Sequence, residues 1–486
     1  MSRASYESAV PRAAWLVVAA LAAAQLVACI WGSLRADDWL NLERGRVVFS
    51  SDWRRIWTTL NPFTLYRPLV DVWHGVMLRL FGLEPRPMLV LLIGHLLLQS
   101  WMLARIVRSM GGSREAAALA ALAVWAQANT YTWTTLWVSN ATGCLMTTCA
   151  LLALLLMLRA VRLGAEGRGN VWTVAGMNLA VVAAALCKEE AVLLPGIAFA
   201  LAASRWRYAP SSERRAWMTI GGSMLAVAAG YTLFRTQMLT TPQEGDNRYH
   251  LRLGAHVFKN LAFLAMHLGA LPLVTAVSVA IWMPAAFRRE GRALPIWGAT
   301  RDAVLGGLGW AAVASLLYLP IVGRPAYGFL YAPAFGVAYA VAHAIAFAHQ
   351  AQLAAGRERS PVVPLAVHAA IALALTGFGL AANGWHRFGV IQKEALITLH
   401  REVPAPPQGA LFVFLDPGRK ETLSGLSLFS LVFDGTTASM LRASYRRSDL
   451  QSRVLLADEV DPATLPAGTY IFRAQGGLLQ RQPSQP

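Results

Sequence analysis

A series of long apolar stretches limits what this chain can fold into. About eleven of them have the length, roughly 20 residues, that a helix needs to cross about 30 Å of hydrocarbon. They are centred near residues 23, 97, 123, 150, 179, 197, 226, 272, 312, 339 and 371. Charged residues make up only 14% of the chain, compared with about 25% in soluble proteins, which leaves too little polar surface for several soluble domains. We therefore predict an all-α polytopic membrane protein.

The arginines lie mostly in the breaks on one side of the predicted membrane. With the N-terminus placed in the cytoplasm, the inside breaks contain Arg105, Arg108, Arg114, Arg159, Arg162, Arg168, Arg205, Arg207, Arg214, Arg215, Arg288, Arg289, Arg292, Arg301, Arg357 and Arg359. Cytoplasmic loops of membrane proteins carry this excess. The pattern predicts a multi-pass protein of the bacterial cytoplasmic (inner) membrane whose C-terminus, after an odd number of spans, lies outside. It also explains the net charge of +17 without nucleic acid as a partner, because no basic stripe interleaved with aromatic residues occurs.

Two segments on the predicted outside are longer than simple connectors. The first, the loop at 34–87, mixes tryptophans with charged residues, which is typical of amphipathic helices lying on a membrane surface. The second begins near residue 383, where Val390–Glu402 predicts a linker helix.

The sequence beyond the linker helix predicts short strands. They correspond to the apolar runs Leu411–Leu415, Val454–Ala457 and Tyr470–Phe472, which are separated by turn residues. We expect a transmembrane domain at 1–382, followed at 383–486 by the linker helix and a small extracytoplasmic α/β domain.

The cysteines and histidines show no metal-binding pattern. The four cysteines, Cys29, Cys144, Cys149 and Cys187, lie within or at the ends of apolar stretches, where small buried hydrophobic side chains are their commonest role. No His-Glu-x-x-His motif and no glycine-rich phosphate loop occurs. We therefore predict neither a metal site nor a cofactor, leave a divalent-cation requirement open, and disfavour an ATP-driven pump.

Charged residues at the membrane edge are candidates for function because an ionised side chain in the membrane costs at least about 2.5–3.5 kcal/mol. Asp37 and Asp38 directly follow the first apolar stretch. Two adjacent carboxylates supply a general base when repulsion and partial burial raise the pKa of one of them. The alternative is a pair of solvated side chains that caps a helix.

Two further segments place cations on the same predicted side. The segment Tyr66–Leu69 contains Arg67, whose planar donor fork matches phosphate or carboxylate. The alternatives are a salt bridge between Arg67 and Asp71 or a side chain that reaches to the membrane surface. The segment Lys188–Glu190 interrupts two apolar stretches, and the alternative there is a polar hairpin turn.

A fourth segment, Gly323–Pro333, contains Arg324, Tyr327 and Tyr331. Tyrosines are common at membrane surfaces, so Arg324 carries most of the weight. Together the four segments predict one chamber at the outer face, above helices that admit a lipid tail. Cations there would hold a lipid-linked phosphate as it leaves, and a carboxylate would accept the proton of an acceptor hydroxyl.

The order of these segments resembles the membrane glycosyltransferases of the GT-C superfamily. The resemblance is greatest to the membrane part of the transmembrane-and-tetratricopeptide O-mannosyltransferases and their bacterial relatives. The matching segments are Asp37-Asp38, Tyr66-Arg67-Pro68-Leu69 with His95 downstream, Leu186-Cys187-Lys188-Glu189 with Pro195, and Phe329–Gly336.

The resemblance implies a GT-C-like fold and an inverting, hexosyltransferase-like enzyme. Its donor would be a polyprenyl-phosphate-linked sugar, and its acceptor a glycan, a lipid or a protein. Asp37 or Asp38 would be the catalytic base, and Arg67 and Lys188 would contact the donor phosphate. The other candidate substrate-binding residues are Tyr66, Glu189, Arg324, Tyr327 and Tyr331.

The chain departs from this family at two points. Gly328-Phe329 stands where the family has an arginine before its Leu-Tyr pair, with Arg324 four residues earlier. No tetratricopeptide repeats follow, so acceptor recognition must differ. Two other functions stay open: an envelope-glycan polymerase or ligase, and a lipid flippase or transporter, which would place its ionisable groups nearer mid-bilayer.

Overall fold

The computed structural model is mostly helical. It describes residues 3–32, 34, 37–58, 66–127, 137–238, 253–269, 296–321, 330–354, 362–416, 422–423, 426–427, 437–457, 464–475 and 478–482. The helices before the C-terminal sheet are α1 (Arg3–Ala28), α2 (Asp37–Val47), α3 (Arg55–Thr58), α4 (Pro68–Phe81), α5 (Pro85–Ser109), α6 (Arg114–Ala126), α7 (Ala141–Ala165), α8 (Val171–Cys187), α9 (Leu194–Arg205), α10 (Ser211–Met238), α11 (256–269), α12 (Ile296–Ser315), α13 (Tyr331–Ala354) and α14 (Val362–Glu402). Short 3₁₀ helices occur at Cys29–Trp31, Val138–Asn140 and Glu189–Leu193.

Among the described residues, 5 helices are long and apolar enough to cross a membrane. They are Val10–Ala28, Pro85–Ser109, Val138–Ala165, Ser211–Gln237 and Tyr331–Leu353, and Val171–Cys187 and Val362–Thr376 are shorter apolar helices. Each predicted span centre lies in a helix except the one near residue 272, which lies outside the described residues. The count of about eleven spans stays a prediction.

Large apolar side chains point outward from several helices. Trp172 on α8 is 81% exposed, Phe199 on α9 is 75% exposed and Leu225 on α10 is 59% exposed. Soluble proteins seldom expose large apolar patches, whereas a lipid environment accepts them. The helical pattern and these surfaces are those of a multi-pass membrane protein.

Glycines bring two helix pairs into backbone contact. A Cβ on Gly336 of α13 would lie 2.7 Å from the carbonyl oxygen of Gly307 in α12, and a Cβ on Gly75 of α4 would lie 2.5 Å from that of Gly45 in α2. Small residues allow helices to approach this closely. The second crossing fixes α2 against α4 and thereby positions the charged residues on both.

A four-stranded sheet follows the helices, in the order β4-β1-β5-β6. Strand β1 pairs in parallel with both β4 and β5, and β5 pairs antiparallel with β6. Parallel neighbours need a crossover, and helix α15 lies between β1 and β4 in the chain. The elements are β1 (Leu411–Asp416), β2 (Thr422–Leu423), β3 (Leu426–Ser427), α15 (Thr437–Ser444), β4 (Gln451–Leu456), β5 (Tyr470–Gln475) and β6 (Leu478–Arg481).

The last long helix is continuous, whereas the sequence predicted a membrane span and a separate linker helix. Helix α14 contains 41 residues and is about 60 Å long at 1.5 Å per residue, roughly twice the hydrocarbon thickness of a bilayer. It includes both the predicted last span and the predicted linker helix Val390–Glu402. The predicted domain boundary at 383 therefore falls inside one continuous helix.

The C-terminal sheet region contacts α2 through α15. Arg46 donates hydrogen bonds to the carbonyl oxygens of Arg442 and Ala443 at 2.8 and 2.7 Å. Glu43 accepts hydrogen bonds from Arg442 at 3.0 Å and from Ser439 at 2.5 Å. Helix α2 is thus held by α4 and by the C-terminal region.

Candidate active site

The start of α2 is held by a buried carboxylate. Asp38 is fully buried, and its Oδ1 accepts hydrogen bonds from the backbone N–H and the hydroxyl of Ser139, both at 2.5 Å. Asn41 donates to the same hydroxyl at 2.9 Å. Ser139 belongs to the 3₁₀ helix that precedes α7, and a helix start favours a nearby negative charge. Asp37 is the first residue of α2, and its side chain lies outside the described residues.

Arg44 and Asp71 form a bidentate ion pair between α2 and α4. Arg44 Nη2 lies 2.6 Å from Asp71 Oδ2, and Arg44 Nε lies within 3.1 Å of both carboxylate oxygens. The side chains are only 15% and 5% exposed. Burial raises the pKa of Asp71 above its usual value, and the hydrogen bonds from Arg44 oppose that rise.

Arg67 forms a second bidentate ion pair, with Glu189. Its Nη2 lies 2.7 Å from Oε1 and its Nε lies 3.1 Å from Oε2. The partner considered from the sequence, Asp71, is instead bound to Arg44. Burial raises the pKa of Glu189, but Arg67 outweighs burial through its charge and hydrogen bonds and, with Arg235, lowers that pKa to about 2. Glu189 is therefore ionised at neutral pH.

Lys188 and Glu190 form a third ion pair, which is more buried than the other two. Lys188 Nζ lies 2.6 Å from Glu190 Oε1, and the side chains are 8% and 7% exposed. The same ammonium group lies 5.7 Å from the ring centroid of Tyr318, a favourable cation–π arrangement. The side chains of a polar hairpin turn would point into solvent. Those of Lys188 and Glu190 instead point into the protein.

A further cation, Arg235, lies beside the pair of Arg67 and Glu189. It is half-buried in the last turn of α10 and interacts electrostatically with Glu189 and Tyr231. Its buried Nε has no hydrogen-bond partner in the described part of the chain. Arg235 was not among the residues predicted from the sequence, although an arginine at the predicted outer end of a span runs against the usual charge bias and was a usable signal.

Tyr66 belongs to the same region. It is 3% exposed, its hydroxyl donates to the carbonyl oxygen of Trp57 at 3.0 Å, and its ring packs edge-on against Phe234, the neighbour of Arg235. Tyr66 therefore connects the segment before α4 with the end of α10.

Tyr331 lies elsewhere, inside the helical bundle. It is 1% exposed, and its hydroxyl donates to Gln99 Oε1 of α5 at 2.7 Å. This hydrogen bond joins α13 to α5. The other two candidates of that segment, Arg324 and Tyr327, lie outside the described residues.

The three ion pairs and Arg235 form one group, which we call the charge cluster. Arg67 interacts electrostatically with Asp71 as well as with Glu189, so the pairs are neighbours. The charge cluster consists of Arg44, Arg67, Asp71, Lys188, Glu189, Glu190 and Arg235. It brings together three of the predicted residues, and its other four members were not predicted as site residues.

No group of three His, Cys, Asp or Glu side chains that could hold a metal ion occurs in the described part of the chain. The cations of the charge cluster are all protein side chains. The cofactor requirement of the site therefore stays a prediction from the sequence.

Solved structures show which known fold this architecture shares. The crystal structure of ArnT from Cupriavidus metallidurans bound to undecaprenyl phosphate matches with a TM-score of 0.51 and 17% identity, over 90% of this chain and 89% of ArnT. The apo state of the same protein matches with a TM-score of 0.52 and 16% identity, over 93% of this chain and 86% of ArnT. This chain shares the fold of ArnT, a GT-C glycosyltransferase. The resemblance predicted from the sequence is thus confirmed at the level of the fold.

Other comparisons add less. The cryo-EM structure of the arabinofuranosyltransferase AftD from mycobacteria matches with a TM-score of 0.48 and 14% identity, over 90% of this chain and 31% of AftD. No protein-family model and no curated protein matches the sequence. In this ArnT-like fold, the charge cluster joins α2 and α4 to the segment between α8 and α9.

Proposed function

We propose that this protein is an inverting, hexosyltransferase-like enzyme that transfers a sugar from a polyprenyl-phosphate-linked donor. The acceptor would be a hydroxyl group of a glycan, lipid or protein at the outer face of the bacterial cytoplasmic membrane. The GT-C fold supports the proposal, and ArnT, which shares that fold, binds undecaprenyl phosphate. The residues of the charge cluster supply the more specific support.

The proposal rests mainly on the surroundings of Arg235. This residue lies at the end of a helix long enough to span a membrane, and its buried Nε has no hydrogen-bond partner among the described residues. A buried N–H group without an acceptor is unfavourable, and an oxygen of a lipid-linked phosphate would supply the missing acceptor. Arg67 also interacts with Glu189, so the two guanidinium groups are neighbours and both would contact the phosphate.

The bonds of Asp38 suggest different roles for the two adjacent carboxylates. Asp38 is fully buried and bound by Ser139, which suits a residue that fixes the start of α2. We therefore assign the role of general base to Asp37, the preceding residue. Its carboxylate would accept the proton of the acceptor hydroxyl while the hydroxyl oxygen attacks the anomeric carbon. The bond between that carbon and the phosphate oxygen would break, releasing polyprenyl phosphate with inversion.

The donor site can be tested without knowing the sugar. Undecaprenyl phosphate, the expected leaving group, would be titrated into the purified full-length protein and its binding followed by native mass spectrometry. Arg235→Gln should weaken binding by about ten-fold or more, the effect of losing a charge-assisted contact. Arg215→Gln is the matched control, because Arg215 is an exposed arginine at the other end of the same helix. Equal binding by the two variants would contradict the donor site.

The roles of the carboxylates require a transfer assay with a panel of polyprenyl-phosphate sugars. Asp37→Asn should lower kcat by about 100-fold or more, the usual contribution of a general base, with unchanged thermal stability. Asp38→Asn keeps an oxygen that accepts from Ser139, so it should lower the melting temperature and kcat together and by less. An Asp37→Asn variant with full activity would refute the assignment.

A further inference from the structure

A second charged region lies between helix ends away from the charge cluster. A cavity of about 590 Å³ opens between the ends of α5, α7, α9 and α10, and this volume lies within the range of small-molecule sites. Four arginines line it, contributed by three helices: Arg105, Arg159, Arg162 and Arg205. We call it the basic cavity.

Two of these arginines are available to a ligand. Arg105 and Arg159 form no ion pair with any residue in the described part of the chain, and both are exposed. The two carboxylates that line the cavity are already paired with the remaining arginines, Arg162 with Glu166 at 3.8 Å and Arg205 with Glu213 at 3.4 Å. The basic cavity therefore has an excess of positive charge.

The position of the basic cavity is at the opposite membrane face from Asp38. Ser139, which binds Asp38, lies at the start of the spanning segment Val138–Ala165, and Arg159 lies near its end. Twenty residues of helix measure about 30 Å, the thickness of the hydrocarbon layer. The arginine pattern predicts that this face is cytoplasmic.

The walls of the basic cavity are amphipathic. Besides the arginines, its lining includes the apolar residues Leu155, Leu158 and Val161 of α7. Trp101 also lines it, and its ring centroid lies 5.9 Å from the guanidinium carbon of Arg105. Tryptophan is typical of the boundary between lipid tails and head groups. A ligand that fits both parts has a phosphate and an apolar chain.

We propose that the basic cavity binds an anionic glycerophospholipid of the inner leaflet, with its phosphodiester on Arg105 and Arg159 and its acyl chains along α7. Arginine forks match phosphate oxygens, and basic pockets between membrane helices bind anionic head groups. The site is separate from the proposed sugar transfer, and its occupant would stabilise the bundle by binding the folded state.

The test uses purified full-length protein in detergent, with dioleoyl phosphatidylglycerol as the probe and dioleoyl phosphatidylcholine as the zwitterionic comparison. Native mass spectrometry should show preferential binding of phosphatidylglycerol. The double variant Arg105→Gln/Arg159→Gln should weaken that binding by about ten-fold. The matched control, Arg12→Gln/Arg215→Gln, removes the same charge from exposed arginines that do not line the basic cavity and should change binding by less than about two-fold.

A second variant protects the test against a folding defect. Ser212→Glu keeps every arginine and places a carboxylate in the basic cavity, in the first turn of α10, where a negative charge favours the helix. It should also weaken phosphatidylglycerol binding. Equal binding of the two lipids, or unchanged binding by both cavity variants, would overturn the proposal. Binding of glycerol 3-phosphate or undecaprenyl phosphate as tight as that of phosphatidylglycerol would replace it with a different ligand.

Discussion

The charge cluster and the basic cavity contain the same types of charged side chain but differ in how deeply these are buried and how closely they are paired. In the charge cluster, Arg44 and Asp71 are 15% and 5% exposed and form a bidentate pair with a shortest distance of 2.6 Å. In the basic cavity, Arg162 and Glu166 are 76% and 45% exposed and approach only to 3.8 Å. The first arrangement needs a fixed geometry, whereas the second leaves its side chains in water.

The difference shows that the number of charges at a membrane face is a poor guide to their role. Exposed arginines satisfy the topology rule wherever they lie on the cytoplasmic side. The attraction within a buried ion pair offsets the free energy lost on dehydration only when each partner is placed accurately. Single substitutions in the charge cluster should therefore lower the stability of the protein. Substitutions in the basic cavity should change its stability little but weaken lipid binding.

The largest effect is expected at Lys188. Lys188→Met leaves Glu190 buried without its cation, and breaking such a pair costs about 3–5 kcal/mol. The measurement is the melting temperature of the purified protein in detergent. The double variant Lys188→Met/Glu190→Gln removes both charges and should recover most of the loss. If the double variant melts as low as the single one, the buried charge is not the cause.

The pair of Arg67 and Glu189 gives the next effect, as a dependence on pH. The pKa of Glu189 is lowered from 4.5 to about 2 in the folded protein, so the pair stabilises the fold above pH 4.5 and loses this contribution as the pH falls towards 2. The full contribution is roughly 2–3 kcal/mol after allowance for solvent screening. Melting temperatures between pH 6 and 3 should fall more steeply for the native chain than for Glu189→Gln, and parallel slopes would contradict the pairing.

A smaller effect is expected at Arg44. Arg44→Lys keeps the charge but loses the planar fork that binds both oxygens of Asp71, at a cost of about 1–2 kcal/mol. Because this pair joins α2 to α4 next to the Gly45–Gly75 contact, transfer activity should fall as well. Wild-type melting temperature and activity in Arg44→Lys would show that a single charge suffices there.

Sequence and structure agree where the signal is local. The apolar stretches identified helices because membrane insertion depends on the composition of about 20 consecutive residues. The order of the charged segments indicated a resemblance to the GT-C superfamily, and the fold is shared with ArnT. The partner of Arg67 was not predictable, because Glu189 lies 122 residues away in sequence and Asp71 was an equally good partner on charge alone. The crossing of α2 and α4 at Gly45 and Gly75 brings Arg44 next to Asp71. This crossing corresponds to no periodic pattern in the sequence.

The smallest effect is expected at Arg162, the counterpart of Arg44 in the basic cavity. Its pair with Glu166 is exposed and long, and such surface pairs contribute about 0–1 kcal/mol because water and salt screen them. Arg162→Gln should therefore leave the melting temperature of the delipidated protein nearly unchanged, while lowering the stabilisation gained on adding phosphatidylglycerol. A large loss of stability without lipid would mean that this pair is structural, and the contrast between the two regions would then lie in exposure alone.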